Sequence, residues 1–223
     1  MMTRQLADIR VVKVGGSLFV DPHLAQKLKC WLCEPSARVT ILLTGGGAAA
    51  DMVRTLDQRF QLGEETSHSL AIDAMRILAQ ALHRMLVDVD MSATWIGDLR
   101  MLPEVARLGE IEERPTANPH QKIPAEACRT RVFFLDPVEF MRVDSTGETP
   151  CPASWEITSD SIAVRLANFL TARQLVLLKS VAAGHDKSIA ELAADGFVDR
   201  AFPREAAPFL DAGGEVRFCV LPG

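Results

Sequence analysis

Three short clusters in this chain hold the residue types that phosphoryl transfer needs. Val11-Val12-Lys13-Val14-Gly15-Gly16-Ser17 runs an apolar stretch into two glycines, with a lysine just ahead of them. Thr40-Ile41-Leu42-Leu43-Thr44-Gly45-Gly46-Gly47 does the same with three. Far downstream, Trp155-Glu156-Ile157-Thr158-Ser159-Asp160-Ser161 reads as a helix start carrying an acid. Bare glycines after a strand let backbone N–H groups approach an anion, because no Cβ stands between them. A lysine near a strand's carboxyl end can offset charge on a phosphoryl group in transit. Taken alone, Lys13 reads equally well as an edge-strand lysine reaching solvent.

Asp160 adds the third part. Thr158 or Ser159 is a natural N-cap, and the positive end of the following helix attracts anions. Capping alone would account for a Thr-Ser-Asp run. Paired with Lys13, Asp160 becomes an acid that orients the lysine for in-line transfer. Neither glycine run is a Walker A loop, and neither fits G-x-G-x-x-G. His68, near Asp73, is an acid–base or substrate-binding candidate, although a surface histidine is the commoner case. The other histidines show no metal-ligand spacing, so no protein-ligated metal is expected; Mg²⁺ carried in with a nucleotide is compatible with the sequence. Cys30 and Cys33 form C-x-x-C inside an amphipathic helical stretch, without a second pair at zinc spacing. They read as two thiols on one helix face.

The elements that must position these groups alternate in period. Strand-like segments fall at 10–14, 39–43, 93–96, 132–135, 175–178 and 216–220, short and apolar on both faces. Helical patterns occupy 22–32, 48–60, 67–86, 159–172 and 188–194. In the third of these, Leu70, Ala74, Ile77, Leu78, Ala81 and Leu82 are expected to form one buried face. Proline-bearing stretches at 114–129 and 144–153 read as loops near a site. The alternation predicts a three-layer α/β/α sandwich around a mostly parallel central sheet.

Bulk properties narrow the class. The 223 residues are 48% hydrophobic and 24% charged with net charge -5, ordinary for a soluble globular protein. No basic cluster argues for nucleic acid as a partner, and no apolar run reaches membrane-spanning length. Five cysteines do not make a disulfide framework, so a cytoplasmic protein is expected.

Lys13 through Ser17, the Gly45–Gly47 turn, Ser159-Asp160 and the strand ending at Lys179 together resemble the amino acid kinase (carbamate kinase-like) family. The likeness runs from Val11 to about Phe202. It is strongest toward the branch that phosphorylates 5-(aminomethyl)-3-furanmethanol phosphate in methanofuran biosynthesis, through Gly45–Arg54, Ser67–Met75 and Trp155–Ala163. The resemblance implies one domain over 1–223, with an acceptor half to about 140 and a nucleotide half beyond. It implies ATP with Mg²⁺ as donor, a small phosphate monoester as acceptor, a diphosphate product and a homo-oligomer. It also implies roles. Lys13 and Asp160 would be catalytic. Gly15, Gly16, Ser17, Gly45, Gly46 and Gly47 would bind phosphate, and Arg54, His68 and Ser159 the substrate. Lys179, Gly184 and Lys187 would lie along the nucleotide. Two departures fall in the nucleotide half: Ala183-Gly184 replaces the family's Asp-Gly, and its late Gly-Gly-Met…Lys segment has no counterpart. A kinase for another phosphorylated or carboxylated metabolite, or a non-catalytic nucleotide-binding protein, is the alternative.

Overall fold

Runs of β-branched and aliphatic residues form six strands: β1 (Ala7–Val14), β2 (Val39–Thr44), β3 (Ala93–Ile96), β4 (Arg131–Leu135), β5 (Ala172–Lys179) and β6 (Glu215–Val220). The computed structural model describes residues 7–34, 37–101, 130–184 and 186–222, so the expected loop at 114–129 lies outside the described residues. The strands make one sheet in the order β3-β4-β2-β1-β5-β6, and every described pairing is parallel. Parallel strands need crossover connections, and helices supply them: α1 (Leu24–Leu32), α2 (Gly47–Phe60), α3 (Glu64–Asp88), α4 (Pro137–Asp144), α5 (Ser159–Phe169), α6 (Ile189–Ala194) and α7 (Phe202–Asp211).

The strand order locates the site. After β1 the chain moves to β2 on one side, whereas after β5 it moves to β6 on the other. The direction in which strands are added therefore reverses between β1 and β5, and a crevice opens at their carboxyl ends. Side chains on both strands alternate between two cores. Ile9, Val11, Leu175 and Leu177 pack on the face covered by α5 and α7. Val12, Val14, Val176 and Leu178 pack on the face covered by α1 and the second half of α3. Fully burying each such side chain contributes about 1.5–3 kcal/mol, which fixes the register strongly.

Several elements differ from the periodicity reading. The buried side of α3 is Ile72, Ala74, Met75, Ala79, Leu82 and Leu86, while Ile77 and Leu70 lie toward solvent. The expected set is itself a coherent i+3/i+4 stripe, but the helix is turned so that a neighbouring stripe faces the core, sharing only Ala74 and Leu82 with it. Helices α4 and α7 were not expected from the pattern. α7 carries Pro203 in its first turn, where proline is tolerated, and Pro208 inside. Cys30 is exposed near the end of α1 and Cys33 is its C-cap, at the strands' amino edge and opposite the crevice. No helix among the described residues is long and apolar enough to cross a membrane.

Candidate active site

Strand alternation aims two lysines at one point. On β1, Lys13 is the next residue after Ile9 and Val11 on the α5 face. On β5, Lys179 follows Leu175 and Leu177 on that same face. Lys13 pairs in register with Leu177, which puts Lys179 one pleat further along the neighbouring strand. Asp160 closes the triangle from the first turn of α5. Lys13 Nζ lies 2.8 Å from its Oδ1 and Lys179 Nζ 2.7 Å from its Oδ2, with Lys13 and Asp160 side chains only 6% exposed. The trio thus sets two ammonium groups against one carboxylate and keeps a positive excess. An edge-strand lysine reaching solvent does not describe Lys13.

Burial alone would raise the Asp160 pKa, but the charges of Lys13 and then Lys179 overcome it and hold the carboxyl below its usual value. Lys179 moves down from the ordinary lysine value, first through burial and next through the charge of Lys13; Asp160 offsets only part of this. Lys179 Nζ also donates to the Phe197 carbonyl at 2.7 Å, and the Phe197 ring lies over it.

The glycine turns are packed against each other. A Cβ on Gly16 would stand 2.3 Å from Gly47 N, so only glycine allows this contact. Gly47, at φ +49, opens α2 in the left-handed region that favours glycine. The Gly15 amide donates to the Leu178 carbonyl and the Gly45 amide to the Val14 carbonyl. These two N–H groups hold strands together, contrary to the expectation that they face phosphate. The first-turn amides of α2 have no intrahelical acceptor and are the ones suited to an anion. Gly16→Ala is expected to destabilise the fold by about 2–3 kcal/mol, since the methyl meets backbone that has no rotamer to yield. A denaturant midpoint within error of wild type would show that this close approach is dispensable.

Two cavities meet at the crevice. The smaller, of about 180 Å³, is lined by Gly16, Ser17, Gly45, Gly46, Gly47, Arg54, His68 and Ser159, with Ile72, Met75, Ile157 and Ile162 as apolar wall. The larger, of about 640 Å³, is lined by Asp160, Lys179 and the segment from Ala193 to Arg200. Arg54, Trp155 and Thr158 border both. The Arg54 guanidinium lies 4.8 Å from the centre of the Trp155 ring and pairs with Asp51 at 2.7 Å. Trp155 Nε1 donates to Asp57 at 2.8 Å, tying α2 to the segment before α5. Burial lowers the His68 pKa, partly offset by the Ser154 backbone, and its Nε2 is buried with no hydrogen-bond partner among the described residues.

Other expected residues lie aside. Gly184 packs against the Lys187 side chain, and Lys187 pairs with Asp195 in the open; neither lines a cavity described here. Asp199 and Asp57 did not emerge from sequence reasoning, and Trp155 stood in a quoted motif without a role of its own. Thr158 takes the N-cap position of α5 as expected, but its own hydroxyl does not cap the helix. Asp199 supplies the acceptor instead. A distant acid acting as a cap leaves no local spacing signal.

Comparison with known proteins agrees with this fold. The family model described as "Amino acid kinase family" matches residues 8–187. A relative from Methanocaldococcus jannaschii, named [5-(aminomethyl)furan-3-yl]methyl phosphate kinase, is 24% identical over 180 residues, covering 80% of this chain and 69% of its own. The uridylate kinase of Archaeoglobus fulgidus superposes with a TM-score of 0.54 at 16% identity, over 96% of this chain and 90% of that one. The UMP kinase of Ureaplasma parvum gives 0.59 at 11% identity, over 96% and 88%. The chain belongs to the amino acid kinase family and is a phosphotransferase.

Proposed function

We propose that the chain transfers the γ-phosphoryl group of ATP to a small phosphate monoester of the [5-(aminomethyl)furan-3-yl]methyl phosphate type, giving a diphosphate. The observation that carries the reading is the buried trio of Lys13, Asp160 and Lys179, with Asp160 and Lys179 in the wall of the larger cavity and Lys13 behind Gly45, which lines the smaller one. The larger cavity, with the Lys179–Asp160 pair in its wall, fits a polyanionic donor. ATP with its Mg²⁺ would supply the transferable phosphoryl group there, with Lys179 toward its phosphates. The smaller cavity fits the acceptor: an anionic head toward the α2 amides, Arg54 and His68, and an apolar body against Ile72, Met75 and Ile157. A guanidinium can bind two phosphate oxygens at once, and the trio's positive excess offsets charge that builds during transfer. His68, with its pKa lowered, is held mainly neutral near pH 7 and can donate to or accept from an acceptor oxygen. The smaller cavity draws wall residues from both sides of residue 140, which supports reading the chain as an acceptor half and a nucleotide half.

The name of the relative supports the acceptor class, and the narrow apolar wall supports a small flat body. The test is wild-type protein with Mg-ATP and the aminomethylfuran phosphate, read by mass spectrometry. Diphosphate formation is the expected result. ADP release only with another small phosphate or carboxylate would keep the kinase and discard this acceptor. Nucleotide binding without transfer to any acceptor would overturn the catalytic reading.

A further inference from the structure

One short turn between α6 and α7 contacts Lys179 directly and bonds the residues on either side of Asp160. From it, Asp199 reaches the amino end of α5 and accepts four hydrogen bonds. Thr158 N and Thr158 Oγ1 donate at 3.0 and 2.9 Å, Ser161 N at 3.0 Å and Ser161 Oγ at 2.5 Å. These donors flank Asp160 on both sides in sequence. Two residues before Asp199, the Phe197 carbonyl accepts from Lys179 Nζ. The turn itself is braced: Gly196 at φ +72 bends it, Phe197 N bonds back to the Leu192 carbonyl, and Ala201 N bonds to the Glu156 carbonyl. The Phe197 ring packs edge-on against Phe218 of β6. The same residues, Gly196 to Arg200, form wall of the larger cavity.

A helix that needed only a cap had one to hand. Thr158 occupies the N-cap position, and a threonine hydroxyl there ordinarily accepts from the helix, for typically about 1 kcal/mol. Here that hydroxyl donates away from the helix to Asp199. The borrowed acceptor is electrostatically awkward, because it brings a second carboxylate beside Asp160. Burial, then the Asp160 charge among the remaining causes, raises the Asp199 pKa against its hydrogen bonds. Local capping would be the simpler route to stability alone. What the borrowed cap adds is a rigid link from the cavity wall to Asp160.

We propose that Asp199 is a positioning residue: through the first turn of α5 it fixes the Asp160 carboxylate, while its own turn fixes Lys179, so the wall of the larger cavity sets the geometry of the trio. The role rests on the kinase reading above. It makes occupancy of that cavity and alignment of Lys13 two consequences of one turn's position.

The experiment is a double-mutant cycle in the transfer assay. Asp199→Asn keeps the size but sets an amide NH₂ against converging donors. It is expected to lower kcat by about 30- to 100-fold, the scale of a sub-ångström to 1 Å misplacement, with acceptor KM within about twofold. If Asp199 acts through Asp160, the same substitution made in an Asp160→Asn background costs less than about threefold more. Asp199→Glu, which restores the carboxylate, recovers part of the rate. Should Asp199→Asn fail to fold, Ser161→Ala removes the Oγ donor from the other end of the same contact and is run through the same cycle. Full additivity of the two losses overturns the positioning role. So does a raised acceptor KM with unchanged kcat. A wild type that transfers to no acceptor overturns the kinase reading and this role together, whereas an active wild type with additive variants overturns this role alone.

Discussion

Lys13→Ala is expected to lower kcat by roughly 10²–10³ while the protein stays folded, because one preorganised charge aimed at a developing anion is worth that much. The fold survives for a structural reason. Removing Lys13 does not strand a buried charge, since Asp160 keeps Lys179 at 2.7 Å on its other oxygen. Breaking a buried pair outright costs about 3–5 kcal/mol, and here the second lysine limits that loss. The neighbouring core residues Val11, Val12 and Val14 are untouched and fully buried. Lys13→Met, which preserves the aliphatic stem, is expected to lose as much rate as alanine, so packing and charge are separated. Transfer rates and thermal melts on both variants check this. A rate within threefold of wild type in either would remove the lysine from the reaction. Lys13 and Asp160 could be named from sequence because each sits at a local landmark: the last inward position before a double glycine, and the first turn after a capping pair.

The parts that sequence did not disclose are those made by distance. Each segment read from an apolar run falls within one of the six described strands, and in the central strands β1, β2 and β5 burial on both faces leaves a continuous signature. Register does not, and register is what sets Lys179 one pleat beyond Lys13 on the same face. From sequence, Lys179 and Lys187 were equivalent cations near the nucleotide half. Only the pairing of β1 with β5 separates them. Asp199 and the Trp155–Asp57 contact are likewise products of topology, joining residues 38 and 98 positions apart. The glycine turns were legible as anion-binding candidates. Which of their amides remain for a ligand was not, because the Gly15 and Gly45 amides bond to carbonyls of the strands around them.

Lys179 is expected to be the second indispensable cation, and its removal tests the site most sharply. Lys179→Met should lower kcat by roughly 10²-fold or more, on the same electrostatic ground as Lys13. Lys187→Met, which breaks only an open, solvent-screened pair with Asp195 and lines neither cavity, should stay within about threefold. The two lysines also differ in titration. Burial and the charge of Lys13 lower the Lys179 pKa, so its ammonium is lost at a lower pH than that of a free lysine. The groups facing it are Lys13 on β1, Asp160 on α5, and Asp199 and the Phe197 carbonyl on the turn after α6. Activity should therefore fall on the alkaline side as pH rises through that lowered value. Stability responds with the opposite sign. A lysine whose folded pKa lies below its unfolded one binds fewer protons folded than unfolded, so its contribution to stability rises with pH in that window. Lys179→Arg keeps a charge that does not titrate, and is expected to retain part of the rate while losing the alkaline limb. An alkaline limb that persists in Lys179→Arg would assign the titration to another group. Equal losses in Lys179→Met and Lys187→Met would return the second cation to the open surface, and with it the claim that strand register builds this site.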